Sequence, residues 1–251
     1  MKDNRIKILD IPVDNYTMDQ TLGLIHFNIT ANISTHHVVV NAAKLVNAQK
    51  DQELRESIIN SDIINADGQS VVWASAFLGR PLKERVAGID LMINLVEMAY
   101  KNGFKIFLLG ATEEVLKKMV DKYTTEFNAT LIAGYRNGYF KKEEEQEVAR
   151  QIGESGAQLL FVAITSPKKE IFLNQYKNII RIPFIMGVGG SFDVISGKTK
   201  RAPVWMQKAG LEWFYRVVQE PRRMWKRYLV GNSAFIYLVI KEKWKQIFRK
   251  K

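Results

Sequence analysis

The chain has no cysteine among its 251 residues. That excludes a disulfide framework, a thiolate zinc site and a thiol nucleophile. Its three histidines, His26, His36 and His37, lack metal-ligand spacing. His26 falls in a helical pattern and the adjacent pair at a strand entrance, so all three read as structural. No run of about 18 apolar residues occurs, so no transmembrane helix is expected. The N-terminus, MKDNRIKILDIPVD, has no apolar leader core. These absences suggest a cytoplasmic location. No Asp-x-Asp pair is present, so the usual metal clamp for sugar-nucleotide phosphates is missing. There is no Gly-x-Ser-x-Gly elbow, no Walker loop and no Gly-x-Gly-x-x-Gly turn. The expectation is chemistry without metal or cofactor, its positive charge supplied by the protein.

That charge is unevenly placed. The whole chain carries +11, yet Lys198 to Lys251 holds 15 basic residues against 3 acidic ones, a balance of +12. The body before it is nearly neutral, at −1. Such asymmetry predicts an anionic target for the tail. Trp205, Trp213, Phe214, Tyr215, Trp225 and Tyr228 are interleaved with the cations. That mixture suits a phosphate-bearing lipid or a nucleic acid. The stretch Ala234–Ile240 is too short to span a bilayer but suits its interface, with Trp244 and Phe248 as anchors. A C-terminal helix packed on the core is the competing reading.

Short apolar runs alternate with amphipathic helical patterns. Strands are expected at Ile6–Leu9, Val38–Asn41, Ile63–Ala66, Lys105–Leu109, Leu131–Ala133, Leu159–Ala163 and Pro183–Val188. Near-continuous apolar runs of this kind mark parallel strands covered on both faces. Helices are expected at Met18–Asn28, Leu91–Lys101, Glu113–Phe127, Glu143–Glu154 and Lys168–Lys177. The fold class is α/β, a Rossmann-like, mainly parallel sheet flanked by helices. Residues 1–199 form that core, and residues 200–251 a basic, aromatic, helical appendage.

In such sheets ligands bind beyond the carboxyl ends of the strands. Four segments sit there. Asn65-Ala66-Asp67-Gly68 presents the Asp67 carboxylate at a tight turn, where it either faces a crevice or caps the helix beginning near Gln69. The Gly79–Asp90 loop carries Arg85, whose planar guanidinium suits a phosphate, although an ion pair with Glu84 or Asp90 is the alternative. Leu109-Gly110-Ala111-Thr112 is a strand–turn–helix with Thr112 as the cap. Gly187-Val188-Gly189-Gly190-Ser191 lets a ligand approach the backbone.

These pieces occur in the order of a known family. With Gly138-Tyr139-Phe140, the Pro167–Glu170 turn, Arg201-Ala202-Pro203, Gly210–Trp213 and Glu220-Pro221-x-Arg223 through Arg227-Tyr228, the chain resembles the WecG/TagA/CpsF glycosyltransferases over roughly residues 5–230. The resemblance implies an inverting, metal-independent hexosyltransferase. It would move a HexNAc such as N-acetylmannosamine, or a hexose, from a UDP-sugar to a polyprenyl-diphosphate-linked saccharide of a cell-surface polymer. It implies peripheral attachment to the inner face of the plasma membrane. Asp67 becomes the general base. Asn41, Arg85, Gly110, Lys169, Gly187, Gly189 and Gly190 are expected at the donor, and Arg216, Arg223 and Arg227 at the lipid diphosphate. Three positions depart from the family pattern: Val39 replaces Thr, Thr165 replaces Gly and Lys169 replaces Gln.

The partners expected are therefore the UDP-sugar, the lipid acceptor and an anionic membrane surface, without nucleic acid; homo-oligomerisation stays open. Two other readings remain at this point. One is a sugar-nucleotide-binding scaffold of an assembly complex, on the three departures. The other is a nucleic-acid-binding module, on the basic aromatic tail.

Overall fold

The computed structural model describes residues 4–248, the side chains of Arg223, Met224, Lys226, Arg227 and Tyr228 excepted. The chain opens with an antiparallel hairpin, β1 (Arg5–Ile8) and β2 (Ile11–Asp14). Leu9 and Asp10 turn it, both at positive φ. Helix α1 (Met18–Thr30) follows, started by a reciprocal Thr17/Gln20 capping box. Then come β3 (Thr35–Val40), α2 (Ala42–Asn47), α3 (Gln52–Ile59), β4 (Ile63–Ala66), α4 (Gln69–Phe77) and α5 (Gly88–Lys101). The second half runs β5 (Ile106–Gly110), α6 (Glu113–Glu126), β6 (Ile132–Arg136), α7 (Glu145–Glu154), β7 (Leu159–Ala163), α8 (Lys168–Ile180) and β8 (Phe184–Gly187). After β8 there are only helices among the described residues: α9 (Ser191–Ile195), α10 (Val204–Lys208), α11 (Glu212–Gln219) and α12 (Pro221–Phe248).

Six strands form one parallel sheet in the order β4-β3-β8-β7-β5-β6. Alternation along each strand supplies a core on both faces. From β5 and β7, Ile106, Leu108, Leu159 and Phe161 point to the layer of α1, α5 and α6. Phe107, Leu109, Leu160 and Val162 point to the opposite layer of α7 and α8. On that same side, Val38, Val40, Ile64 and Ala66 pack with the hairpin, α2, α3 and α4. The α/β reading therefore holds, with one correction. The Ile6–Leu9 run is a strand, but it belongs to the hairpin and not to the parallel sheet. Its partner went unseen because Pro12 interrupts Ile11–Asp14, and proline is tolerated only at sheet edges.

The C-terminal helix is longer than its apolar stretch suggests. Phe235 and Val239 are buried in the core beside the hairpin and α2. Glu242 accepts the backbone N–H of Leu9 at 2.8 Å and pairs with Arg80. This end of α12 is packed on the body. Among the described residues, no helix is long and apolar enough to cross a membrane.

Candidate active site

Strand order brings the carboxyl ends of β4, β3, β8 and β7 side by side, and Asp67, Asn41, Gly187 and Lys169 follow or end those strands. Asp67 follows β4. It does not cap α4, whose N-terminus starts at Gly68 without a side-chain cap. Its Oδ1 instead accepts the N–H of Gly88 at 2.8 Å, and so holds the start of α5. Asp67 Oδ2 has no hydrogen bond among the described residues. The loop before α5 is tied down as well, because Val86 donates to the Ala66 carbonyl at 2.9 Å. Asn41, one strand over, caps α2 by accepting from the Lys44 N–H at 3.0 Å. Val39 packs beneath Gly88, its methyls about 3.5 Å from where a Cβ there would stand.

Lys169 is buried in the first turn of α8 and lies against Gly187. A Cβ on Gly187 would come within 2.5 Å of Lys169 Cε, so the glycine makes room for that side chain. Lys169 Nζ is 3.1 Å from Glu170 Oε1, and Lys44 Nζ is 2.8 Å from the same oxygen. Lys44 also donates to the Val39 carbonyl at 2.8 Å. Burial raises the Glu170 pKa, but the two ammonium groups outweigh it and hold it down to about 2. The buried triad thus carries one formal positive charge beside the β7 and β8 ends. Sequence reasoning missed Lys44. Its signal was a cation in the first turn of a strand-end helix, against the helix dipole.

The Gly-rich turn after β8 is partly self-satisfied. Val188 donates to Val162 and Ser191 to Val188, while the N–H groups of Gly189 and Gly190 meet no acceptor among the described residues. Arg216 Nη1 lies 3.8 Å from a Cβ position on Gly190, above this turn. Gly110 serves the sheet: its φ is 121°, and a Cβ would meet the Ala163 backbone at 2.5 Å. Arg223 and Arg227 have side chains outside the described residues.

Arg85 pairs with neither Glu84 nor Asp90. Its Nη1 lies 2.5 Å from Glu212 Oε2, on α11. Arg201 Nη1 takes Asp90 at 2.7 Å, and its Nε approaches Glu212 at 3.6 Å. These pairs fill the crevice from above. Beside them lies a cavity of about 20 Å³, lined by Ile89, Val194, Lys200, Arg201, Ala202, Glu212 and Arg216. A larger groove, about 450 Å³, opens at the amino ends of β3 and β8 near Lys177 and Arg181. It lies on the wrong side of a parallel sheet for strand-end chemistry. Among the described residues no cluster of three or more His, Asp or Glu side chains is placed to hold a metal ion.

Fold and site define an open α/β protein with a cationic strand-end crevice around one turn-borne carboxylate. Comparison with known proteins then gives the family. The chain belongs to the Glycosyl transferase WecG/TagA/CpsF family, matched over residues 6–249, and is a glycosyltransferase. It is similar to the N-acetylglucosaminyldiphosphoundecaprenol N-acetyl-beta-D-mannosaminyltransferase of Bacillus subtilis strain 168, with 36% identity over 236 residues. That alignment covers 94% of this chain and 87% of the relative. A protein of the same name from Bacillus spizizenii is 38% identical over 187 residues, covering 74% of this chain and 71% of its own.

Proposed function

We propose that the chain transfers N-acetylmannosamine, or a closely related sugar, from a UDP-linked donor to a polyprenyl-diphosphate-linked saccharide in cell-surface polymer synthesis. The observation that carries the reading is Asp67. Its carboxylate is fixed through one oxygen by Gly88 and, among the described residues, leaves the other without a partner at the strand ends. The names of the two relatives support the acceptor class and the sugar.

In this mechanism Asp67 takes the proton of the acceptor hydroxyl as that oxygen attacks the anomeric carbon. The bond from that carbon to the diphosphate oxygen breaks, and UDP leaves with the electron pair. Attack opposite the leaving group inverts the anomeric centre, so an α-linked donor would give the β linkage that the relatives' names carry. The charge on the leaving diphosphate is met by Arg85, by Lys169 and by the N–H groups of Gly189 and Gly190. Arg85 exchanges Glu212 for phosphate, a bidentate partner of the same sign. Arg216, with Arg223 and Arg227, takes the lipid diphosphate. The basic segment 200–251 docks on the anionic inner face of the plasma membrane.

Asp67→Asn tests this. The amide oxygen still accepts from Gly88, so the fold and UDP affinity persist. Turnover falls by about 10²–10⁴-fold, the usual contribution of a positioned base. Near wild-type turnover in the purified variant would remove Asp67 from the chemistry.

A further inference from the structure

We infer that α4, inside the catalytic body, is a second bilayer-contacting element that shares one membrane face with α12. The inference rests on the membrane-docking reading above and adds to it where the bilayer meets the core.

Helix α4 reads QSVVWASAF, without a charged residue. Val71, Ala74 and Ser75 are buried against the core. The other side presents Trp73, 58% exposed, and Phe77, 53% exposed, one turn apart with the exposed Ala76 beside them. A helix apolar on every side is normally covered on every side. Here one side is open, directly after the turn that carries Asp67.

The open side continues onto α12. Lys243 Nζ lies 5.7 Å from the centre of the Phe77 ring. Ile236, Ile240 and Ile247 are exposed, and with Lys243 they fall within a sector of about 60° at the helical repeat. The helix cannot roll to hide them, because Phe235 and Val239 are in the core and Glu242 is held by Arg80 and Leu9. Trp73 extends the surface the other way, with its ring 3.6 Å from a Cβ position on Gly210.

The charge of this surface selects its occupant. Lys243 lies within the isoleucine sector and over the Phe77 ring, in a segment whose balance is +12. Aromatic and aliphatic side chains rimmed by lysine match the boundary of an anionic bilayer. A second copy would bring two strongly cationic faces together. With α4 on the bilayer, Asp67, which immediately precedes its N-cap Gly68, is held close to the surface in which a polyprenyl diphosphate is anchored.

The absence of cysteine makes the test direct. Phe77→Cys, Ile247→Cys and Thr124→Cys, the last at an exposed position of α6, each give one site for an environment-sensitive fluorophore. With vesicles of phosphatidylcholine and phosphatidylglycerol, the probes at 77 and 247 shift to the blue and are quenched from the lipid chains, while the probe at 124 does neither. Trp73→Ser with Phe77→Ser lowers the vesicle partition coefficient by about tenfold. A response at 247 without one at 77 overturns the inference and leaves tail docking intact. No response at either site, with the protein unbound, removes tail docking and the inference with it. A blue shift at 77 without vesicles, growing with protein concentration alongside a doubled mass, assigns the face to a second copy and overturns the inference too.

Discussion

Lys169 is the residue at which sequence and fold say different things about one side chain. In the sequence it is a cation at a presumed donor turn. In the fold it is one arm of a buried triad, sharing Glu170 Oε1 with Lys44. Replacing it by glutamine leaves Glu170 its Lys44 partner, so the fold should stand. The site loses a positive charge next to Gly187. Lys169→Gln should therefore weaken UDP binding by about tenfold, the scale of one charge-assisted hydrogen bond. Calorimetric titration measures it, and unchanged affinity for every donor would make the lysine purely structural. The Asp67 turn was legible because Asn-Ala-Asp-Gly follows an apolar run. The Lys44–Glu170 pair was not, because its members lie 126 positions apart. Only the adjacency of β3, β8 and β7 brings them together.

At the scale of elements, α11 acts as a cover on the crevice. Glu212, in its first turn, neutralises Arg85 and reaches Arg201. In the proposed reaction the nucleoside diphosphate takes over the Arg85 contact. Glu212→Gln removes the competing charge and should tighten UDP binding by about fivefold, since a partly exposed ion pair contributes about 1 kcal/mol. Weaker binding in this variant would mean that Glu212 orients Arg85 for the ligand. The sequence located the main strands to within a few residues, because parallel strands buried on both faces read as apolar blocks. It did not show that α11 lies over the β4 end or that α12 returns to the hairpin. Those contacts depend on Glu212 and Glu242 meeting arginines far away in the chain.

On the scale of the whole molecule, the parallel sheet contains two buried histidines on β3. Burial pushes His36 down to about 4 and His37 down to about 3. Both stay neutral in the folded chain at pH values where the unfolded chain takes up protons. Above pH 6.5, the ordinary histidine value, neither costs stability. Below it, each lowers stability by about 1.4 kcal/mol per pH unit until its folded value is reached. The melting temperature should fall steadily from pH 6.5 to 4.5, and a flat profile there would show that the histidines gain protons without unfolding. The nearly neutral body and the cationic tail support the proposal of a catalytic sheet held against an anionic surface. The most direct test of that account is the lipid product. Purified protein is given UDP-N-acetylmannosamine and polyprenyl-diphosphate N-acetylglucosamine in anionic vesicles, and the lipid is read by mass spectrometry. The account predicts one added N-acetylhexosamine, β-linked, with the diphosphate intact and one UDP released per product. Release of UDP with the lipid unchanged, across a panel of UDP-sugars, would contradict it.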